Sequence, residues 1–417
     1  MKRILLCGIL ALAVAGMTFA QWPDGFSVAG QVRTGLRMDF LGGQYYGVGK
    51  GLTPIIPEDR SSVWMWHDDA GNRAQLDMKF VAENYGFRFI PRFQMIDNTT
   101  MSLPVAYGWF EVMNDMIKVT AGRIDDGVWN SPSPEDRNYS NGVGFRVEVK
   151  PIEGLNVGWM IGEDNRTPDT LASFPSGAGK FTRPADLFGT SGFGAKYAND
   201  TFAVAAGLQL YREGTGRSKA GWGFGGRDDP YFFADSIGDG TVATGKVGTE
   251  TYLGVEVKPV QGLTVQAGAI MGNLDVVKDY GYIWMNEYLA YDLGSITPRL
   301  TLHQKIDMSD TKLFKNPETG DMEATPAYME FVPGVDFTIA DNLSAYFEAP
   351  IKIWDKVFEL GVKPGATYKF GPGLEIGAYY NLILSTNSYD VDSGRGNKLS
   401  DQTAIRNVVQ FNLTWTF

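Results

Sequence analysis

The residue types that most often carry out chemistry are scarce in this chain of 417 residues. It has one cysteine, Cys7, and two histidines, His67 and His303, and neither histidine has a metal-ligand spacing such as His-Glu-x-x-His. His67 precedes two aspartates in a polar segment that predicts a loop. His303 shares the parity of Arg299 and Thr301, so we expect it to face the lumen. No serine can be placed beside a base from spacing alone. We therefore expect no enzyme activity, no metal and no cofactor, and a barrel lipase or protease is a distant alternative.

The remaining reactive groups are charged side chains, and they follow a pattern. Four arginines (Arg33, Arg37, Arg88 and Arg92) alternate with apolar residues, so a strand would place all four on its polar face. A fifth, Arg123, precedes an acidic segment that contains Asp125, Asp126, Glu135 and Asp136. Arginine and carboxylate side chains that line a pore select solutes by charge. The strands and loops that carry these side chains determine whether they face a pore.

Period-two alternation runs along the whole chain. Near the N-terminus, one parity is apolar (Phe26, Val28, Val32, Leu36, Met38, Phe40) and the other is polar (Ser27, Gln31, Arg33, Arg37, Asp39). The same separation recurs at 73–80, 87–95, 145–150 and 358–370. A soluble β-sandwich also alternates, but its strands run to about six residues, whereas these reach about ten, as tilted membrane strands require.

The connections between strands alternate between short and long. Tight links are predicted at 114–115, 151–154, 199–200, 259–262, 341–342 and 371–373, and long ones at about 41–72, 97–104, 125–141, 163–190, 212–248, 273–281, 306–327 and 385–401, with a shorter one at 354–357. This alternation is typical of membrane barrels. It predicts an all-β fold, a transmembrane antiparallel up-and-down β-barrel of about 16–18 strands, with eighteen favoured and sixteen possible.

The N-terminus predicts export. Lys2 and Arg3, an apolar stretch from Ile4 to Ala15, and Thr18-Phe19-Ala20 resemble a secretory signal peptide at 1–20, cleaved before Gln21, with the barrel at 21–417. The apolar stretch is too short for a helical span. Cys7 lies too close to the charged start for lipidation, so the mature chain has no thiol. The net charge of −11 argues against nucleic acid and mildly favours cations.

The last strand alternates to the final residue, with Trp415 and Phe417 on its apolar face. An aromatic last residue on such a strand resembles the signal that barrel-assembly machinery reads. The expected partners are therefore this machinery, periplasmic chaperones and outer-membrane lipid.

The stretch from Ala106 to Arg123, with its tight turn at 114–115 and its Gly-Arg end, resembles the general bacterial outer-membrane porins. In that family the following loop, here 124–141, folds into the pore, and its acids face arginines on the wall. The resemblance implies a constriction between Asp125, Asp126, Glu135 and Asp136 on one side and Arg33, Arg37, Arg88, Arg92 and Arg123 on the other. Strict alternation gives Arg123 the apolar parity, so it needs a bulge or a position beyond the lipid to reach the lumen.

The resemblance implies a passive diffusion channel for small hydrophilic solutes and ions in the bacterial outer membrane, and it also implies a homotrimer. One alternative is a substrate-specific, sugar-type channel in which Tyr107, Trp109, Tyr346 and Tyr379, all of lumen parity, form a stacking track. Another is a surface adhesin or antigen that uses the long segments 163–190 and 212–248 on a closed barrel. The sequence leaves the solute, the ion preference and the oligomeric state open.

Overall fold

The computed structural model describes residues 24–42, 61–65, 72–94, 100–134, 139–163, 191–211, 248–275, 280–307, 314–315, 322–323, 327–354, 357–386 and 404–417. All regular secondary structure in this part of the chain is β-strand. Within it, no helix is long and apolar enough to cross a membrane. The predicted leader at 1–20 and the long segments 164–190 and 212–247 lie outside the described residues.

The strands, in chain order, are β1 (Phe26–Gly42), β2 (Ser61–Met65), β3 (Arg73–Val81), β4 (Tyr85–Gln94), β5 (Thr100–Val112), β6 (Ile117–Ile124), β7 (Gly142–Ile152), β8 (Leu155–Glu163), β9 (Ser191–Ala198), β10 (Phe202–Tyr211), β11 (Gly248–Val257), β12 (Leu263–Asp275), β13 (Tyr280–Tyr291), β14 (Ile296–Asp307), β15 (Phe314–Lys315), β16 (Met322–Glu323), β17 (Tyr328–Ala340), β18 (Leu343–Glu348), β19 (Ile351–Trp354), β20 (Val357–Phe370), β21 (Leu374–Thr386) and β22 (Ala404–Thr416).

One sheet contains every strand except the small β15 and β16 pair, and it closes on itself because β1 pairs antiparallel with both β22 and β3. Two barrel strands are interrupted. β2 and β3 pair with successive parts of β1, and β18 and β19 lie one after the other between β17 and β20. The described sheet is therefore an up-and-down barrel of eighteen strands, which confirms the predicted fold class and the higher strand number.

The interruptions have local causes. Pro350 separates β18 from β19, and proline has no N–H to donate to the ladder. Between the two partners of β1, the Gly35 N–H donates instead to the Asn72 side chain over 3.0 Å.

The boundaries correct three predicted loops. β2 lies within the predicted loop 41–72, the β15 and β16 pair lies within 306–327, and β5 already begins at Thr100 inside 97–104. β2, β15 and β16 are short strands that pair with neighbours that sequence alternation alone cannot identify, and β5 is a long strand that begins earlier than predicted.

The tight turns lie where the sequence predicts them. Met113, Asn114 and Asp115 all have positive φ, between 55° and 63°, in the link between β5 and β6. Gly154, between β7 and β8, and Gly262, between β11 and β12, have φ of 78° and 85°. Residues with a short polar side chain or none tolerate this conformation best. These turns fix each hairpin register and thus the parity of every side chain.

Parity separates an apolar outer face from a polar inner face. On β7, Phe145 is 43% exposed on the outside, whereas the neighbouring Arg146 is fully buried inside. On β11, Leu253 is 53% exposed, while Tyr252 is buried. An apolar exterior around a polar interior is the arrangement of a barrel whose outer face contacts lipid.

The C-terminus closes the barrel. Phe417 and Gly30 exchange two backbone hydrogen bonds of 2.8 and 3.0 Å. The Phe417 ring occupies the space that a side chain at Gly30 would take, and Trp415 packs edge-on against it, with 5.6 Å between ring centroids. The final aromatic pair therefore seals the seam between β1 and β22. Recognition of these two aromatic residues by the barrel-assembly machinery stays a prediction.

Candidate functional site

The segment between β6 and β7 folds into the barrel. We call residues 125–141 the inner loop, of which 125–134 and 139–141 are described. Its side chains contact inward residues of β8, β9, β11 and β12, while the outward residues of those strands, such as Val157 and Phe193, are exposed on the outside. The inner loop therefore lies along one side of the inner wall, as the predicted inward-folded loop requires.

Trp129 anchors the inner loop. Its side chain is fully buried in a cluster with Ile124 and Met160, and Tyr107 packs against this cluster. The indole N–H donates to Asn156 Oδ1 over 2.9 Å, so its one polar group is satisfied on the wall. The anchor thus combines an apolar contact with one specific hydrogen bond.

Glycines form the surface that receives the inner loop. Gly158 and Gly194 face each other across β8 and β9, and a β-carbon at either position would overlap the Trp129 indole. Gly254 and Gly268 face each other across β11 and β12, and there the added atom would overlap Ser131 or Ser133. We call these four residues the glycine track. It allows the loop to lie closer to the wall than any larger residue would permit.

A buried ion network fixes the start of the inner loop. Arg146 on β7 is fully buried and donates from its two terminal nitrogens to the two carboxylate oxygens of Asp126, each over 2.6 Å. Its Nε donates to Glu148 over 2.9 Å, and one terminal nitrogen also donates to the Ser140 carbonyl over 3.0 Å. Such bidentate, charge-assisted geometry compensates the cost of burying the guanidinium.

The two ends of the inner loop are tied together. Asn141 Oδ1 accepts from the N–H groups of Asp126 and Gly127 over 3.1 and 3.0 Å, and Asn141 Nδ2 donates to Asp125 over 2.7 Å. Further along the wall, the Tyr139 hydroxyl donates to Glu250 over 2.8 Å. The Tyr252 hydroxyl donates to the Trp129 carbonyl. The described loop is therefore held at both ends and at its centre.

Asp125 is the loop carboxylate whose ionisation depends most clearly on its surroundings. Partial desolvation in the loop and then the adjacent Asp126 charge raise the pKa of Asp125. Arg92, Arg88 and Arg123 act in the opposite direction. This coupling places the loop acid within electrostatic range of three of the predicted arginines.

Four predicted arginines lie on inward positions of β1 and β4. Arg88 donates to Asp77, with 2.6 Å between the charged atoms, and lies directly opposite Tyr107 on β5, which packs against the Trp129 cluster. Arg92 donates weakly to Gln75 over 3.4 Å. Arg37 is fully buried. Arg33 on β1 lies directly opposite Arg73 on β3 in the strand register. Of these four arginines, Arg88 and Arg92 lie within electrostatic range of Asp125 on the inner loop.

Arg123 differs from the other four. The ladder between β5 and β6 has no register shift, and Arg123 pairs with Ala106, so it keeps the outward parity of the exposed Ala121. It is the last residue but one of its strand, and from there its charge reaches Asp125. Glu135 and Asp136 lie outside the described residues.

Sequence reasoning missed the residues that hold the loop. Arg146 and Glu148 have the same alternating pattern as any other lumen charge, and nothing in their spacing distinguishes them. The glycine track leaves a weak signal, since Gly158, Gly194, Gly254 and Gly268 all have inward parity. Their partner Trp129 lies in a loop, where alternation gives no information.

Other predicted groups are placed but not assembled into a catalytic site. In the described part of the chain, no three His, Cys, Asp or Glu residues are grouped to hold a metal. His303 faces inward beside Lys352, and His67 lies outside the described residues. The aromatic candidates face inward at separate places: Tyr107 lies 5.8 Å from Trp109, and Tyr379 lies under Lys363.

No protein-family model and no curated protein matches the chain. Solved structures do match it. The BenF-like porin from Pseudomonas fluorescens Pf-5 aligns with a TM-score of 0.53 and 12% identity, over 94% of this chain and 99% of its own. OpdL of Pseudomonas aeruginosa aligns with a TM-score of 0.51 and 10% identity, over 95% and 99%. A variant of OccD1 (OprD) gives 0.50 and 11%, over 95% and 97%.

At such low identity these likenesses concern the fold. The chain has the barrel fold of bacterial outer-membrane porins, and this confirms the resemblance seen in the sequence at the level of architecture.

Proposed function

We propose that the chain is a passive diffusion channel of the bacterial outer membrane, which lets small hydrophilic solutes and ions pass a constriction formed by its inner loop. The observation that carries the proposal is the buried ion pair of Arg146 with Asp126, which fixes this loop inside a polar barrel. The described part of the inner loop is anchored along one side of the barrel wall, which suits a constriction. A barrel that is closed and serves only as a platform for surface binding does not require such a loop. Transport also suits the scarcity of residues that could do catalysis.

The charges beside the loop give the constriction its selectivity. Asp125 stands on the loop, and Arg88 and Arg92 stand on the neighbouring wall within its electrostatic range. Opposed charges across a narrow aqueous gap produce a transverse field, which orders water and favours dipolar solutes of limited size. Glu135 and Asp136 would add negative charge on the loop side. The solute class follows as small, polar and water-soluble.

The anchors make the constriction a fixed one. Trp129 packs into the glycine track, Tyr139 is bonded to Glu250, and Asp126 is held by Arg146. Displacing the loop would leave a buried guanidinium with only one of its two counter-charges, Glu148, which costs about 3 kcal/mol. We therefore expect steady open-channel current, with loop removal needed to widen the path.

Single-channel recording in planar bilayers tests the proposal. The refolded barrel is compared with a variant lacking residues 126–137, and the reversal potential is measured in a salt gradient. We expect stable open steps in the full chain and larger, less selective steps after the deletion. A silent barrel in both forms would contradict the channel, and equal conductance in both would contradict the constriction.

A substrate-specific channel is the second candidate, and one observation favours it. Lys118 lies 5.1 Å from the centre of the Trp109 ring, and Lys363 lies 4.6 Å from that of Tyr379, so the lumen wall carries aromatic faces with adjacent cations. Such pairs suit solutes with an apolar ring face and an anionic or hydroxyl group. Current that saturates and is blocked by one solute, and loses this block in Trp109→Ala, would support this candidate over a general channel.

A further inference from the structure

One side chain of the wall connects two anchors of the inner loop. Asn156 on β8 is partly buried, and its Oδ1 accepts from the indole N–H of Trp129 over 2.9 Å. Its Nδ2 donates to Glu148 Oε2 over 2.8 Å. The other oxygen of this carboxylate, Oε1, accepts from Arg146 over 2.7 and 2.9 Å. Asn156 thus joins the tryptophan anchor to the buried ion network.

These contacts form a closed chain with the inner loop itself. Asp126 and Trp129 are three residues apart in the loop. On the wall they are joined through the series Arg146, Glu148 and Asn156. The guanidinium carbon of Arg146 also lies 5.9 Å from the centre of the Trp129 ring. One connected set of side chains on β7 and β8 therefore holds both ends of the segment 126–129.

The direction of the Asn156 amide follows from Glu148. A carboxylate only accepts hydrogen bonds, so Asn156 must present its NH2 group to Glu148. Its carbonyl oxygen then points to Trp129, as the indole requires, because an indole N–H only donates. A reversed amide would bring two oxygens together at Glu148 and two N–H donors together at Trp129. A polar network of this kind makes a site rigid only while each member is satisfied.

We propose that Asn156 is a positioning residue of the channel, and that the Glu148 carboxylate keeps its amide in the orientation that fixes Trp129 and the inner loop. The inference deepens the proposed function, on which it rests for its effect on conduction. The position of the loop then depends on the direction of the hydrogen bonds along the wall, in addition to the ion pair of Arg146 with Asp126. In this role Asn156 acts through Trp129 and needs no contact with a solute.

Moving the carboxylate from position 148 to position 156 tests the proposal. In Glu148→Gln, the new amide oxygen still accepts from Arg146, so its NH2 group meets that of Asn156 and drives the Asn156 amide to reverse. Two donors then meet at Trp129. Adding Asn156→Asp supplies an acceptor to both neighbours, and the total charge equals that of the wild type. Lys196, directly opposite position 156 on β9, can accommodate the new carboxylate.

The indole N–H of Trp129 gives the readout. With isotope-labelled tryptophan, its magnetic resonance signal is the one missing from Trp129→Phe, and its exchange with deuterium is followed in detergent. We expect about tenfold faster exchange in Glu148→Gln, the factor that corresponds to the loss of one hydrogen bond of about 1.4 kcal/mol. The double variant should return to about the wild-type rate. Open-channel noise should rise and fall in the same order.

The matched control is Glu256→Gln. The Glu256 carboxylate likewise accepts from a side-chain amide, that of Gln266 on β12, over 2.7 Å. Its loss should leave the exchange of the Trp129 indole unchanged. Asn156→Asp alone should not slow the exchange, since its carboxylate meets that of Glu148. Slower exchange in that single variant would mean that the new carboxylate stabilises the site in general, and would overturn the explanation by bond direction.

Unchanged exchange in Glu148→Gln, or fast exchange that persists in the double variant, would overturn the proposal. The double variant can be judged even if Glu148→Gln alone folds poorly, because it should fold in wild-type yield and exchange slowly. A barrel that conducts no current but shows the expected exchange rates would contradict the proposed channel and support the positioning role. A conducting barrel with the same exchange rate in all variants would overturn the positioning role alone.

Discussion

Arg146 on β7 holds both carboxylate oxygens of Asp126, with 2.6 Å for each nitrogen-to-oxygen distance. The guanidinium is fully buried, so its charge on the barrel wall is stabilised in part by a carboxylate that the inner loop supplies. Glu148 contributes a second acceptor, but it belongs to the same strand as the arginine. Asp126 is the acidic residue of the inner loop that pairs with this charge, and the Ser140 carbonyl is a second acceptor from the same loop.

Asp126→Ala should lower the free energy of unfolding by about 3 kcal/mol, because it leaves a buried charge with one counter-ion fewer. Denaturant titration in detergent measures the loss. The control is Asp77→Ala, which removes the partner of Arg88 in a pair whose side chains are both 30% exposed. There we expect a loss of about 1 kcal/mol or less. Equal losses in the two variants would contradict the role given to the buried pair.

Gly194→Ala should displace Trp129, because the new β-carbon would overlap the buried indole. Overpacking of this kind costs about 1–3 kcal/mol, and we expect larger and noisier single-channel steps together with lower thermal stability. Gly377→Ala is the matched control, since the nearest atom to its added carbon is 3.6 Å away. If Gly194→Ala conducts like the wild type, the glycine track does not set the position of the loop.

Lowering the pH should reduce the cation selectivity of the channel, and the reduction should begin at a higher pH than protonation of an ordinary aspartate would cause. The pKa of Asp125 is raised above its usual value of 3.8, so this carboxylate takes up a proton at a higher pH and the loop loses negative charge there. The reversal potential in a salt gradient, followed from pH 7 downwards, measures the change. Asp125→Asn should show a smaller change over the same range. An unchanged titration in that variant would assign the effect to another group.

Phe417→Ala should reduce the yield of folded barrel, because the ring covers Gly30 at the seam between β1 and β22. Gly30→Ala should have a similar effect, since its added methyl would overlap the ring. Adding Gly30→Ala to Phe417→Ala should cost little, because the space is then empty, and this coupling separates the contact from a general loss of apolar surface. The heat-dependent shift in gel migration measures folding. Phe411→Ala, outward and 44% exposed on the same strand, is the control and should fold nearly normally.

The alternation of β1 was sufficient to place Arg33 and Arg37 inside and Phe26 outside, because successive side chains of a strand point to opposite faces. The tight turns could likewise be located, since Asn114, Gly154 and Gly262 suit positive φ. The porin resemblance placed Arg123 on the lumen wall, but no bulge occurs between β5 and β6, and Arg123 keeps the outward parity that strict alternation gives it. Alternation did not fix the number of strands, because β2 and β19 are short segments that become strands only through pairing with β1 and β17.

The anchoring of the inner loop depends on the closed barrel. Asp126 and Arg146 are 20 residues apart, and Tyr139 and Glu250 are 111 apart, so no local pattern relates them. The sequence by itself determined which face each side chain takes, because that follows from a period of two. Only the tertiary structure decided which inward and outward residues meet, because that depends on strand order, register and the path of the loop across the lumen.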